Sequence, residues 1–304
     1  MAAKHVKVKP VDCEPDEVIA RNIIHNCQMI KNWLGPCKTH DMQAWLFSAG
    51  PSLDFATKEM FPKKYFDGLP RDSYRIFCIK HALPALKEAG VIPDFCVALD
   101  PREIKGTSTH GKPREELYAA APKETTMLIA SMTHPSVTKY LLDRGYKVVG
   151  WHAASGALNS LLEQGIMKQC IQLDGGTSSA MRTLSIAHHL GFREANLVGF
   201  DCSLEGEPKE NELQPSDKPG GPERYKYFEV KNPKDKRDQF EFWASGELVA
   251  QAQDIEAALA NAKLADLELR FYGLDPENSY GGNVVEHTKN LTKFPLYEER
   301  FPNV

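Results

Sequence analysis

Two acids stand where a parallel sheet would put chemistry. Asp100 closes the apolar run CVAL and Asp201 closes the run LVGF; in open parallel sheets, ligands gather beyond the carboxyl ends of strands. A carboxylate there can reach a ribose, a metal ion or an acceptor hydroxyl, although an Asp that opens a loop is also an ordinary turn former. Two glycine turns accompany the acids. Gly50-Pro51-Ser52 follows AWLFSA, where a glycine lets the backbone approach a ligand and the next amides can point at a phosphate. Gly175-Gly176-Thr177-Ser178 opens a helical stretch, and small residues there leave the first amides and the positive dipole end uncovered. The plainer reading of the second turn is an N-cap by Thr177 or Ser178.

The proton-transfer candidates are histidines. His81 follows a strand together with Lys80, His134 follows SMT, and His152 follows VVGW; any of the three could serve as general base, and the residues alone do not select one. The candidate catalytic set is Asp100, Asp201, His81 and His152. The candidate ligand-binding set is Gly50, Pro51, Ser52, Lys80, Gly175, Gly176, Thr177 and Ser178. The histidines lack carboxylates at metal-ligand spacing, and Asp100 is the candidate ligand should a metal take part.

Those positions need a frame of strands. Apolar runs at 74–79, 94–99, 126–130, 147–150 and 195–199 alternate with helical stretches at 82–89, 136–144 and 177–190. Such alternation predicts a Rossmann-like α/β fold, a mostly parallel sheet with helices on both faces. Ahead of it, apolar spacing predicts an amphipathic helix over 16–34, stopped by Gly35-Pro36. Residues 204–238 turn to Pro, Gly and charge, with Tyr225, Tyr227 and Phe228 interleaved, which reads as a lid. A helix over 245–262 and the strand LELRFYGL follow. The expected organisation is an N-terminal helical extension (1–44), a nucleotide-binding domain (45–204), and a lid with a C-terminal helix and strand (205–304).

Composition sets outer limits. With 304 residues and a formal charge of −4, the chain can bury a large core and carries no net electrostatic reason to hold nucleic acid or a membrane. Its seven cysteines are scattered without a CxxC pair, against a disulfide scaffold or a zinc site. No apolar stretch approaches the length that spans a bilayer. A cytoplasmic location is the expectation.

Three segments taken together, FSAGPSLD, KHALPALKEAGVIPDFCVALDP and GGTSSAMRTLSIAHHLGFREANLVGFDCSL, resemble the 6-hydroxymethylpterin diphosphokinase MptE-like family, with the Maf-type flagellin glycosylation proteins among its relatives. The resemblance implies a Rossmann-like fold that binds a nucleotide substrate. It sets Gly50 to Ser52 on the family's first glycine turn, Pro93-Asp94 on its Pro-Asp signature and Asp100 on the last acid of an Asp-Leu-Asp motif. It sets Gly175 to Ser178 and Asp201 on the second turn and its strand end. The first acid of Asp-Leu-Asp is Ala98 here, which removes one implied Mg²⁺ ligand. The third segment is also similar to bacterial sialyltransferases that use a nucleotide-activated sugar and can work without a metal; their lid histidine has no counterpart.

The leading expectation is a transferase of glycosyltransferase type, with a nucleotide or nucleotide-sugar donor across both glycine turns and Asp100 or Asp201 orienting the acceptor. One alternative is ATP-dependent, Mg²⁺-assisted pyrophosphoryl transfer to a pterin-like alcohol. The other is a non-catalytic nucleotide-binding or assembly protein.

Overall fold

In a computed structural model, the structure describes residues 14–108, 112–176, 178–202 and 266–272, with positions 248, 251–252, 254–255, 257 and 264. Among them, eight strands form one sheet in the order β6-β5-β4-β3-β2-β1-β7-β8. These are β1 (Gln43–Phe47), β2 (Tyr74–Ile79), β3 (Phe95–Ala98), β4 (Thr126–Ala130), β5 (Val148–Ala153), β6 (Gln172–Leu173), β7 (Glu194–Val198) and β8 (Glu268–Tyr272). Every pairing is parallel. The α/β Rossmann-like expectation holds.

Alternation along β1 explains why both faces are covered. Trp45 and Phe47 enter one core and Ala44 and Leu46 the other, because successive side chains of a strand point to opposite faces. The chain winds outward from β1 to β6. On the first face it lays down α2 (Ser52–Phe55) with a π turn (Ala56–Met60), α3 (Lys63–Asp67), α4 (Leu83–Glu88), α5 (Arg114–Ala119) and α6 (Pro135–Asp143). It then returns across the sheet through α8 (Ser179–His189), whose Met181, Leu184 and Ala187 fill the opposite core. A right-handed crossover run in the reverse direction must use the other face. The strand order therefore switches at the β1–β7 boundary.

The helix expected over 16–34 is shorter. α1 spans Asp16–Met29, and Ile30 is already extended. Residues 32–34 instead run beside β5: Gly150 N donates to Asn32 O at 2.8 Å and Leu34 N donates to Gly150 O at 2.8 Å. Gly150 permits this because a Cβ there would stand 2.6 Å from the Trp33 ring. Apolar spacing cannot separate a last helical turn from an extended segment whose Trp and Leu are also drawn inward. Among the elements that the sequence does not reveal are α3, α5, α7 (Gly156–Glu163) and the two-residue β6.

α1 packs on α7 through Ile19, Ile23, Leu158 and Leu161, and it also grips the loops beyond β3 and β4. Asn22 Nδ2 donates to the carbonyls of Pro101 and Met132, and Asn26 Nδ2 to those of Ser131 (2.8 Å) and Thr133 (2.5 Å). Buried carbonyls at strand ends need such partners. Replacing Asn26 with Ala should cost about 2–3 kcal/mol, since two buried acceptors lose their donors. Urea denaturation of Asn26→Ala measures it, and a variant as stable as the parent contradicts the role given to α1.

Candidate functional site

At the β1–β7 boundary the two strand ends are tied to each other. Ser48 N donates to Val198 O and Gly50 N to Gly199 O, each at 2.8 Å. Asp201, fully buried, then receives the Ser52 amide (3.0 Å) and the Ser52 hydroxyl (2.8 Å) on Oδ2. Gly50 has no side chain because a Cβ would overlap that oxygen and stand 2.6 Å from Gly199 O. The turn continues into Cys202, whose φ of 51° lies in the left-handed region uncommon for a residue with a side chain. Gly50 thus serves close approach, as the sequence implied, but what approaches is a carboxylate of the chain itself. The Ser52 amide expected to face a phosphate is spent on Asp201.

The second turn follows β6, separated from β1 by β5, β4, β3 and β2, about 24 Å across the sheet at 4.8 Å per strand. Gly175 and Gly176 have φ of +128° and +80°, conformations open to glycine. A Cβ on Gly176 would stand 2.7 Å from Asp254 Oδ2, so this turn also faces a carboxylate. Ser178 caps α8 by accepting from Met181 N at 3.3 Å, the plainer of its two readings. Thr177 and the expected lid at 204–238 lie outside the described residues. The shared cradle of unpaired amides expected from the sequence is therefore not what these turns build.

The strongest electrostatic feature sits one strand further along, beyond the ends of β2 and β3. Asp100, 7% exposed, is surrounded by three cations. Lys80 Nζ donates to Oδ2, Arg114 Nε donates to Oδ2 at 3.0 Å, and Arg102 spans the carboxylate with Nε on Oδ1 (2.8 Å) and Nη2 on Oδ2 (3.1 Å). The Arg102 amide adds a fifth bond to Oδ1 at 3.2 Å. Burial alone would raise the Asp100 pKa; the Lys80 charge and the Arg102 hydrogen bonds override it and hold the carboxyl well below the usual carboxylate range. Burial lowers the Lys80 pKa, and Asp100 opposes that shift. Arg114 reaches in from α5, and Nη1 donates to Glu103 O at 2.9 Å. Gly106 makes room for it, since a Cβ there would overlap Nη1.

The histidines separate by place. His81 stands in the 3-10 turn Lys80–Ala82 at the end of β2, beside Lys80. His134 caps α6: Nδ1 accepts from Ser136 N at 3.2 Å, and its backbone N–H goes to Asp100 O at 3.1 Å. His152 lies on β5, four strand spacings from β1, stacked on Trp33 with ring centroids 4.4 Å apart, Nδ1 bonded to Ser131 Oγ at 3.0 Å. Burial lowers both imidazoles from their ordinary value, so each is held toward its neutral form. His152 lines a cavity of about 540 Å³ with Trp33, Trp151, Met167, Ile171 and His189, at the β5–β6 edge and away from the switch point. The structure thus gathers Gly50, Pro51, Ser52 and Asp201 at one seam, with Lys80, His81 and Asp100 beside it. It leaves His152 and the second glycine turn elsewhere.

The sequence reading missed Arg102, Arg114 and Asp254. Arg102 stood two residues past a singled-out acid, in DPRE, and was legible; Arg114 and Asp254 reach their sites from elements distant in sequence.

The family described as 6-hydroxymethylpterin diphosphokinase MptE-like matches residues 18–207. The chain belongs to that family. Among solved structures, the Maf glycosyltransferase from Magnetospirillum magneticum AMB-1 has a similar fold, with a TM-score of 0.54 at 16% identity, over 94% of this chain and 45% of that one. The chain therefore spans under half the length of that neighbour. No curated protein matches it in sequence.

For an MptE-like chain, the diphosphokinase reading implies magnesium, and the residues here do not fit the ion. A carboxylate offers about four lone-pair sites, and Asp100 already accepts five hydrogen bonds, four of them from cationic side chains. Ala98 stands where the resemblance places the partner acid. Among the described residues no three His, Cys, Asp or Glu side chains gather as a metal would need. Asp100 is thus a poor candidate for a metal ligand, because a divalent cation beside it would meet three positive charges and no spare lone pair.

Gly50→Ala should destabilise the chain by about 1–3 kcal/mol, the cost of overfilling a packed site, and Asp201→Ala should partly relieve it by vacating the space. A double-mutant cycle in urea measures this; additive costs contradict the contact.

Proposed function

We propose that this MptE-like protein is a nucleotide-dependent transferase of glycosyl-transfer type, taking a nucleotide-activated sugar at the carboxyl ends of β1, β2, β3 and β7. The observation that carries the reading is the saturation of Asp100 by Lys80, Arg102 and Arg114. It supplies fixed positive charge beside the switch point without recruiting a metal. Pyrophosphoryl transfer from ATP relies on metal ions to neutralise the phosphates, so the same observation weighs against the diphosphokinase alternative. In glycosyl transfer, the bond between the anomeric carbon and the donor's phosphate oxygen breaks, and its electron pair leaves with the nucleotide. The acceptor oxygen forms the new bond to that carbon, and its proton passes to a base. Fixed cations stabilise the charge that develops on the leaving phosphate.

Asp100 and Asp201 are engaged with neighbouring groups of the chain, which weighs against the role of orienting an acceptor. His134 and His152 are committed to a helix cap and to a stack at the far edge. His81 is the titratable candidate beside the cations, and the reading gives it the acceptor's proton.

Calorimetric titration with CMP-sugars and nucleoside diphosphate-sugars in EDTA tests the proposal. Saturable binding of at least one class is the expected result. AMP released from ATP and hydroxymethylpterin only with Mg²⁺, or no binding of any nucleotide, overturns it.

A further inference from the structure

The outer edge of β5 changes partner part-way along. Residues 32–34 run beside Gly150, bridged in parallel through Trp33, and β6 takes over at His152, pairing Gln172 with His152 and Leu173 with Ala153. Trp151 falls at the changeover. Two short segments thus lie end to end along one strand. The cavity of about 540 Å³ is lined by Trp33 and Leu34 from the first, Ile171 and Leu173 from the second, and Trp151 and His152 from β5. Its volume falls in the ~300–1,000 Å³ range of small-molecule sites, which are mainly apolar with a few placed polar groups.

The walls supply both. Trp33 Nε1 donates to Ile30 O at 3.1 Å and Trp151 Nε1 to Leu128 O at 3.2 Å, so the indoles offer the cavity ring surface and no donor. Trp33 and His152 stack with their planes 9° apart, which makes a flat aromatic wall. Cys27 and Cys170 also line the cavity; burial pushes the Cys27 thiol up to about 11 and raises that of Cys170. Both stay protonated and act as small apolar groups, not as thiolate nucleophiles or metal ligands. The polar contribution comes from imidazole. His189, the last residue of α8, lines the cavity with Nε2 buried and without a hydrogen-bond partner among the described residues, and a buried nitrogen left so carries its full desolvation penalty. His152 has Nδ1 on Ser131 Oγ, and its Nε2 has no partner among the described residues.

We propose that this cavity is a second ligand site, for a planar nitrogen heterocycle of nucleobase size, whose ring lies against the Trp33–His152 wall and whose edge bonds His189 Nε2. A planar ring is the ligand because flat aromatic surface is well covered by an offset-stacked ring. A heterocycle, not a hydrocarbon, is required because a hydrocarbon would leave the His189 nitrogen unmet. β4 and β5 stand between the cavity and the strand ends given to the donor, so the ligand here is an additional one. The site stands or falls apart from the transferase reading, and it employs His152, which that reading leaves without a part.

Calorimetry with free adenine and cytosine tests the site, with phenol as a planar ring that lacks ring nitrogen and cyclohexanol as a puckered one. The parent should bind at least one base saturably and about tenfold or more tightly than phenol, and cyclohexanol should not saturate. Trp33→Leu should weaken base binding about tenfold or more. His189→Phe, which keeps an aromatic ring and removes the nitrogens, should weaken it about fivefold or more. Circular dichroism should report both variants folded; if Trp33→Leu does not fold, Trp33→Phe replaces it, with an expected loss of about threefold or more. A parent that binds neither base overturns the site, and a dimer in sedimentation that Ile171→Asp dissociates would then make the cavity a contact between chains. Base binding that survives either variant puts the ring elsewhere and also overturns it. Phenol or cyclohexanol bound as tightly as the bases overturns the assignment to a heterocycle.

Discussion

A carboxylate withdrawn from water must be met by donors or by charge, and this constraint shapes the working edge of the sheet. Two strand ends carry such a carboxylate, and the chain answers each differently. Asp201, after β7, is met by the amide and hydroxyl of Ser52 and so ties the turn after β1 to the neighbouring strand. Asp100, after β3, is met by three cations from the 3-10 turn after β2, the loop after β3 and α5. The first solution closes the seam at which the strand order reverses. The second concentrates positive charge beside it. In many open α/β sheets the helix N-terminus at the reversal is the anion site; here that position is met by Asp201, and three cations stand beyond the adjacent strands.

The same constraint explains which parts were readable from the residues. β2 and β4 coincide with the apolar runs at 74–79 and 126–130, because a strand buried on both faces is apolar throughout. α7 was missed since Gly156 and a short span obscure its spacing, and β6 because two residues carry no period. The glycines were located correctly, but their purpose was not legible. A missing Cβ looks the same in sequence whether the space is meant for a phosphate or, as at Gly50 and Gly176, holds Asp201 or Asp254. Asp100 stands out for its place at a strand end, but the cations that take up its lone pairs do not. Arg114 lies 14 residues on, in a helix that the sequence does not reveal.

Membership in the MptE-like family supports a transferase-like role, and the likeness to a Maf glycosyltransferase shows the fold. The family name points to a metal-assisted diphosphokinase, whereas three cations already surround Asp100. Ala98 ends β3, the saturated Asp100 lies two residues beyond it, and both lean the same way. α1 contributes more than a cover, since Asn22 and Asn26 fix the loops beyond β3 and β4 against which Asp100 and His134 are set.

The most direct measurement is the position of a bound oxyanion. A crystal of the full chain soaked in tungstate, a phosphate mimic located by its anomalous signal, should place the ion within hydrogen-bond distance of Arg102 and Arg114, with Asp201 still on Ser52. Tungstate seated on the amides of Ser52 or of the Gly175–Gly176 turn, with the cations around Asp100 unvisited, would contradict the account.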